Sequence, residues 1–212
     1  MHTESKGSKT SGNVIGEIPG ETDKLVLIGA HLDSWDLGTG AVDDGAGVGI
    51  VLGAAKSILD LNQRPKNTIR VVLFGSEEVG LVGAKAYAKK HSDNLKNHIV
   101  AAESDFGAAK IWRFDTLFSK TSLSFAKKIQ KQLKSLKIKR GDNKAYGGPD
   151  LQPLRKQGVP VVTLKQNGWD YFDLHHTADD TFDKIRPADI AQNVAAYSVF
   201  TWMTANTDQS FR

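Results

Sequence analysis

Residues 68–80 read TIRVVLFGSEEVG: a mostly apolar run from Thr68 to Phe74, a glycine, and then the adjacent carboxylates Glu77 and Glu78. A strand covered on both faces reads as a run of this kind. On a regular strand, neighbouring side chains point to opposite faces, so a strand continuing through the pair would leave one glutamate in solvent. If the strand stops at Gly75, a turn can bring both carboxylates to one site. The remainder of the chain decides between these readings.

Comparable runs recur at 13–18 (NVIGEI), 24–30 (KLVLIGA), 97–102 (NHIVAA), 109–114 (AKIWRF) and 159–165 (VPVVTLK). Helical spacing fills the intervals at 44–61, 80–91, 120–136, about 149–157 and 187–205, with Pro187 suited to a first helical turn. Strands alternating with helices predict an α/β fold, a three-layer αβα sandwich with a mixed, mostly parallel central sheet. The segment NVIGEIPGETDKLVLIGA reads as a hairpin that adds an antiparallel edge. A polar segment at 1–12 is expected to be a flexible N-terminal tail, with one domain over 13–212.

Length and composition fit that plan. The chain has 212 residues, of which 40% are hydrophobic, enough for one sizeable core. It has no cysteine, which excludes disulfides, thiolate nucleophiles and cysteine-based metal sites. Its longest apolar runs are too short to cross a bilayer, and no signal-peptide pattern opens it. The formal net charge is +4, much of it in AKKIQKQLKSLKIKR. Those lysines alternate with apolar residues at helical spacing and carry no interleaved aromatics, so they predict a solvated helix face and no nucleic-acid partner. His91 and His98 lie in polar surroundings and read as surface residues.

Open α/β sheets collect ligands at the carboxyl ends of their strands. There this sequence concentrates His31, Asp33, Asp43, Asp44, Glu77, Glu78, Glu103, Asp105, His175 and His176, with Asp179 and Asp180 nearby. Each motif alone has an ordinary reading: VDDGAG and SEE suit helix N-termini, and HHTADDT suits a turn before a helix. Together, so many carboxylates at one edge would repel one another unless a cation sat among them. Histidine among the oxygens favours zinc over magnesium or calcium. The dinucleotide fingerprint, HExxH and G-x-S-x-G are all absent.

The motifs GAHLDSWDLGTGAVDDGAG, LFGSEEVGLVGAKAY, ESDFG and FDLHHTADDT together resemble the co-catalytic dizinc exopeptidases of the leucyl aminopeptidase and glutamate carboxypeptidase type. They are most similar to the carboxypeptidase Q branch. The resemblance implies two zinc ions per chain, with His31 and Asp105 on one, Glu78 and His176 on the other, and Asp43 bridging through a cis Asp43–Asp44 peptide. It further implies Glu77 as general base, Asp33 orienting His31, Asp180 orienting His176, and His175 donating to the transition state. Trp169, Tyr171 and Phe172 are candidates for the substrate pocket, as is the YGGPD turn at 146–150. The implied activity is hydrolysis of short peptides or dipeptides, by a carboxypeptidase or dipeptidase rather than an aminopeptidase. A single-zinc acyltransferase of the glutaminyl cyclase type is the alternative. The resemblance also implies an exported, periplasmic or extracellular protein, with no membrane partner and a homodimer as one assembly. Against that branch, the chain looks like the metal-binding core without the upstream segment and protease-associated domain.

Overall fold

The computed structural model describes residues 7–212. Residues 1–6 of the expected tail lie outside the described residues. Residues 7–12 have no regular structure, yet Ser11 and Gly12 already pack beside Gly75.

The strands are β1 (Val14–Ile18), β2 (Thr22–His31), β3 (Asn67–Phe74), β4 (His98–Glu103), β5 (Ile111–Leu117), β6 (Lys139–Arg140) and β7 (Val161–Gln166). The helices are α1 (Ala46–Leu59), α2 (Val82–Lys90), α3 (Leu123–Leu133), α4 (Gln152–Lys156), α5 (Tyr171–Leu174) and α6 (Pro187–Ala205). They surround a seven-stranded sheet of order β1-β3-β2-β4-β7-β5-β6. β3, β2, β4 and β7 run parallel, while β1 is antiparallel to β3 and β5 to β7. The expected mixed, mostly parallel sandwich is therefore present.

β2 lies inside the sheet between β3 and β4, and its residues from Leu25 to His31 are all buried. One sheet face packs on α1, α3 and α6 through residues such as Ile50, Ala54, Ile129, Tyr197 and Phe200. The other face packs on α2 and α4 through Ala84, Tyr87 and Leu154. Each large apolar side chain so covered contributes roughly 1.5–3 kcal/mol against its exposed state. The lysine-rich segment behaves as expected: α3 buries Ala126, Ile129 and Leu133 and leaves its lysines outside.

Two expectations are corrected. β1 does form an antiparallel edge, but on β3, with Val14 opposite Leu73 and Ile18 opposite Ile69. No hairpin joins β1 to β2, because β3 and β4 occupy both edges of β2. The intervening Pro19–Gly20–Glu21 arches over the start of β3, where a Cβ on Gly20 would collide with the backbone of Asn67 and Thr68. The second correction is His98, which is fully buried rather than at the surface. Its Nδ1–H donates to Asn94 O at 3.3 Å, and Tyr87 Oη donates to its Nε2 at 2.8 Å. Among the described residues, no helix is long and apolar enough to cross a membrane.

The chain leaves β2 toward β3 on one side and then crosses to β4 on the other. That reversal opens a crevice at the carboxyl ends of the strands, the usual ligand position in such sheets.

Candidate active site

β3 ends at Phe74, and residues 75–81 turn sharply, with Ser76 and Leu81 in the left-handed region. Leu81 N and Gly80 N donate back to Glu77 O at 2.8 and 2.9 Å. The turn is also held from outside. Asp33 Oδ1 accepts from Glu77 N at 2.9 Å and Asp33 Oδ2 from Glu78 N at 3.2 Å. Both glutamates thus belong to a single site, and both line a pocket of about 690 Å³ at the strand ends.

His31, the last residue of β2, is almost fully buried. Its Nδ1–H donates to the carbonyl of Asp33 at 2.8 Å, which leaves the Nε2 lone pair facing inward. Nε2 meets Asp43 Oδ1 at 3.0 Å and Asp105 Oδ1 at 3.7 Å. Asp43 lies in the bend at 41–45 that precedes α1, and its peptide bond to Asp44 is cis. Its second oxygen, Oδ2, lies 3.4 Å from both His175 Nε2 and His176 Nε2. His176 Nε2 also lies 2.8 Å from Glu78 Oε2, whereas Glu78 Oε1 is buried without a partner.

Two groups of these atoms have the spacing of metal ligands. His31, Asp43 and Asp105 offer donor atoms within 4.8 Å of one another, and so do Asp43, His175 and His176. Bonds of about 2.1 Å to a tetrahedral zinc place neighbouring donors ~3.4 Å apart, and the separations of 3.0 Å (His31–Asp43), 3.4 Å (His176–Asp43) and 3.7 Å (His31–Asp105) bracket that spacing. Glu78 Oε1 is buried with no donor to meet it, and His31 Nε2 is turned toward the carboxylates of Asp43 and Asp105. The donor set fits.

The electrostatics agree. Burial opposes protonation of His31, but the flanking carboxylates of Asp105 and Asp43 overcome it and raise its pKa. Burial, followed by the neighbouring Asp105, pushes Glu77 up to about 7. Burial and then Asp43 raise Glu78. A carboxylate cluster in a partly dry cleft favours any added positive charge.

Two expected supporting contacts differ from the sequence reading. The Asp33 carboxylate stands 3.7 Å from His31, which it contacts properly only through its carbonyl. Asp180 does not orient His176. Its Oδ1 accepts from Val42 N at 2.6 Å and its Oδ2 from Asp43 N at 3.1 Å, which fixes the Asp43 bend. Both carboxylates hold backbone amides that long-range folding brings to them.

His175 lines the pocket and stacks on His176 with ring centroids 3.6 Å apart. Tyr171, Phe172 and the stretch from Tyr146 to Pro149 line the pocket as expected, but Trp169 is 90% exposed and does not. Several contacts and surroundings were not legible in the sequence. Asp44 is buried and accepts from His31 N and Gly47 N. Trp35 also stacks on His176, with ring centroids 5.1 Å apart. Asp150 is fully buried with neither carboxylate oxygen partnered. Arg113, Lys144 and Lys165 line the wall of the pocket. A strand alternation in VVTLKQ was the available signal for Lys165.

Comparison with known proteins follows the same lines. The family model described as Peptidase family M28 matches residues 13–201. Human carboxypeptidase Q is 33% identical over 210 residues, covering 96% of this chain and 44% of that protein. The crystal structure of a peptidase M28 precursor from Shewanella amazonensis superposes with a TM-score of 0.92 at 54% identity, covering 94% of this chain and 46% of that one. A zinc aminopeptidase from Bacillus subtilis shares the fold, with a TM-score of 0.70 at 20% identity over 94% of this chain and 51% of that one. The chain thus spans less than half the length of the curated carboxypeptidase Q it matches.

Proposed function

The chain belongs to peptidase family M28, and from that premise we propose that it hydrolyses short peptides or dipeptides with two zinc ions. The observation that carries this reading is the Asp43 carboxylate, whose Oδ1 faces His31 at 3.0 Å while its Oδ2 faces His176 at 3.4 Å. In this assignment His31 and Asp105 would hold one ion and Glu78 and His176 the other, with Asp43 contributing to both. Zinc is named for the related Bacillus subtilis aminopeptidase, and a set of imidazoles and carboxylates suits it. When bound, it supplies Lewis-acid polarisation of the scissile carbonyl and makes an attacking water easier to deprotonate.

The chain's own groups do the rest. Glu77, held beside Glu78 by the Asp33 carboxylate, takes a proton from the attacking water and passes it to the leaving amine. His175 donates an N–H to the carbonyl oxygen as charge develops there. Tyr171 and Phe172 shield the pocket, and Asp180 keeps the Asp43 bend in register. The carboxypeptidase or dipeptidase direction is supported by the identity to carboxypeptidase Q.

The test combines metal analysis with a dipeptide panel. Wild type is expected to hold about two zinc ions per chain and to turn dipeptides over, losing activity on chelation. Glu77→Gln is expected to keep both ions and lose about 10²–10⁴-fold in kcat. Retained turnover would remove Glu77 from the base role, and one ion per chain with cyclisation of N-terminal glutamine would favour the acyltransferase reading.

A further inference from the structure

The pocket has a second wall, built from β5, β7 and the loop after β6. Arg113 lies opposite Lys165 and Asp115 opposite Thr163 in the antiparallel β5–β7 pair. Opposed residues share a face. Their alternates Phe114, Val162 and Leu164 are buried in the main core, so Arg113 and Lys165 are turned the other way, into the pocket. Lys144 joins them from a loop that is firmly held. Asn143 Oδ1 accepts from Thr116 Oγ1 at 2.7 Å and Phe118 N at 3.0 Å, and its Nδ2 donates to Phe118 O at 2.8 Å. Lys144 N donates to Asp142 Oδ1 at 3.0 Å.

These cations are not equivalent. Arg113 is already neutralised: its Nε donates to both oxygens of Asp115 at 2.8 and 3.0 Å, and its guanidinium reaches Asp142 at 3.0 Å. Lys144 and Lys165 have no carboxylate within 4.0 Å of their ammonium groups among the described residues. The acids of this wall are therefore spent on the arginine, and the lysines are free. The remaining acids of the pocket are Asp43, Glu77, Glu78 and Asp105, which belong to the cluster already described, and the buried Glu103, whose carboxylate accepts from Asp150 N and Leu151 N.

The pocket is thus divided by charge, with ammonium groups on one wall and carboxylates on the other. We infer that Lys165 on β7, with Lys144, receives a carboxylate of the bound peptide and so determines which peptides are accepted. The ligand's identity as a peptide rests on the peptidase reading; the carboxylate recognition rests on the wall itself. A negatively charged group entering the pocket is repelled by Asp43, Glu77, Glu78 and Asp105 and drawn to the lysines, which fixes the direction in which the peptide lies. A pocket of about 690 Å³ has room for a dipeptide. Lysine presents a compact charge on a flexible stem, without the planar fork of arginine. Both a C-terminal α-carboxylate and a side-chain carboxylate satisfy that chemistry.

Three probes separate these sources: alanyl-leucine, alanyl-leucinamide and alanyl-glutamic acid α-amide. Each is measured for turnover, and for binding by calorimetry, on zinc-loaded wild type and on the Lys144→Met/Lys165→Met double variant. Wild type is expected to prefer at least one carboxylate-bearing probe over alanyl-leucinamide by about tenfold or more in kcat/KM and in Kd. The double variant is expected to lose that preference while handling alanyl-leucinamide within about twofold of wild type. Preference for alanyl-leucine identifies the α-carboxylate, and preference for the glutamyl amide identifies the side chain. Equal handling of all three by wild type, or an equal loss on all three in the variant, overturns the inference. If no probe is turned over but the binding preference and its loss are seen, the carboxylate site stands and the hydrolytic reading falls. If binding too shows no preference, the inference falls with it.

Discussion

Asp33 and Asp180 illustrate how a carboxylate near a metal-type cluster can act on the backbone instead of on a histidine. Asp33 accepts from the amides of Glu77 and Glu78, and Asp180 from those of Val42 and Asp43. Each therefore fixes a turn carrying a key side chain. Asp33→Ala is expected to weaken zinc binding by about 10–100-fold, the usual cost of losing such a supporting contact, as read by competitive zinc titration. Unchanged affinity would show that the turn holds itself. His175→Ala should behave differently. Its loss should lower kcat by more than about tenfold with zinc content intact, and an unaltered kcat would sink its role as a donor. The site's residue types were legible because acids and histidines clustered after apolar runs. The partners of Asp33 and Asp180 were not, since they join positions 44 and 138 residues apart in sequence.

At the scale of elements, the turn after β3 is clamped by a residue from before β1. Asn13 Oδ1 accepts from Gly75 N at 3.0 Å, and Asn13 Nδ2 donates to Gly83 O at 2.9 Å. Gly83 itself packs so closely on Gly75 and Asn13 that a Cβ would collide with both. Asn13→Ala is expected to cost about 1–2 kcal/mol in urea denaturation, because two buried backbone groups lose partners. It should also lower turnover, since both glutamates hang from that turn. Helix α6 was legible to its limits, 187–205, because Pro187 marks its start and a long apolar periodicity follows. The pairing of β1 was not. An alternating edge strand suits either neighbour, and the choice fell to whichever sheet edge was left open.

At the scale of the whole molecule, zinc binding and folding are coupled, because the clustered carboxylates repel one another until a cation joins them. Chelation should lower Tm, and zinc at about a thousand times its Kd should restore roughly 4 kcal/mol of stability. Calorimetric scans with and without chelator check this. A separate pH dependence comes from His98, far from that cluster in the chain. Burial, followed by Arg70, His91 and Arg212, pushes its pKa down to about 4 against the favourable Asn94 carbonyl. The unfolded chain binds that proton near 6.5, so the stability due to neutral His98 is present above pH 6.5 and lost as pH falls toward 4. The loss amounts to roughly 3 kcal/mol. His98→Gln should show a shallower fall over this window in denaturation at stepped pH, and an identical slope would refute the assignment.

The sequence by itself determined the layers of the sandwich and the edge at which acids and histidines gather. Apolar period and strand-end chemistry are local properties that each segment carries in its own residues. Tertiary structure alone decided that β1 lies on β3, that His98 is buried, that Asp33 and Asp180 hold backbone amides, and that Lys165 and Lys144 face the acid cluster across the pocket. Each of these depends on which distant segment fills a given edge or covers a given face, and packing of the complete chain settles that competition.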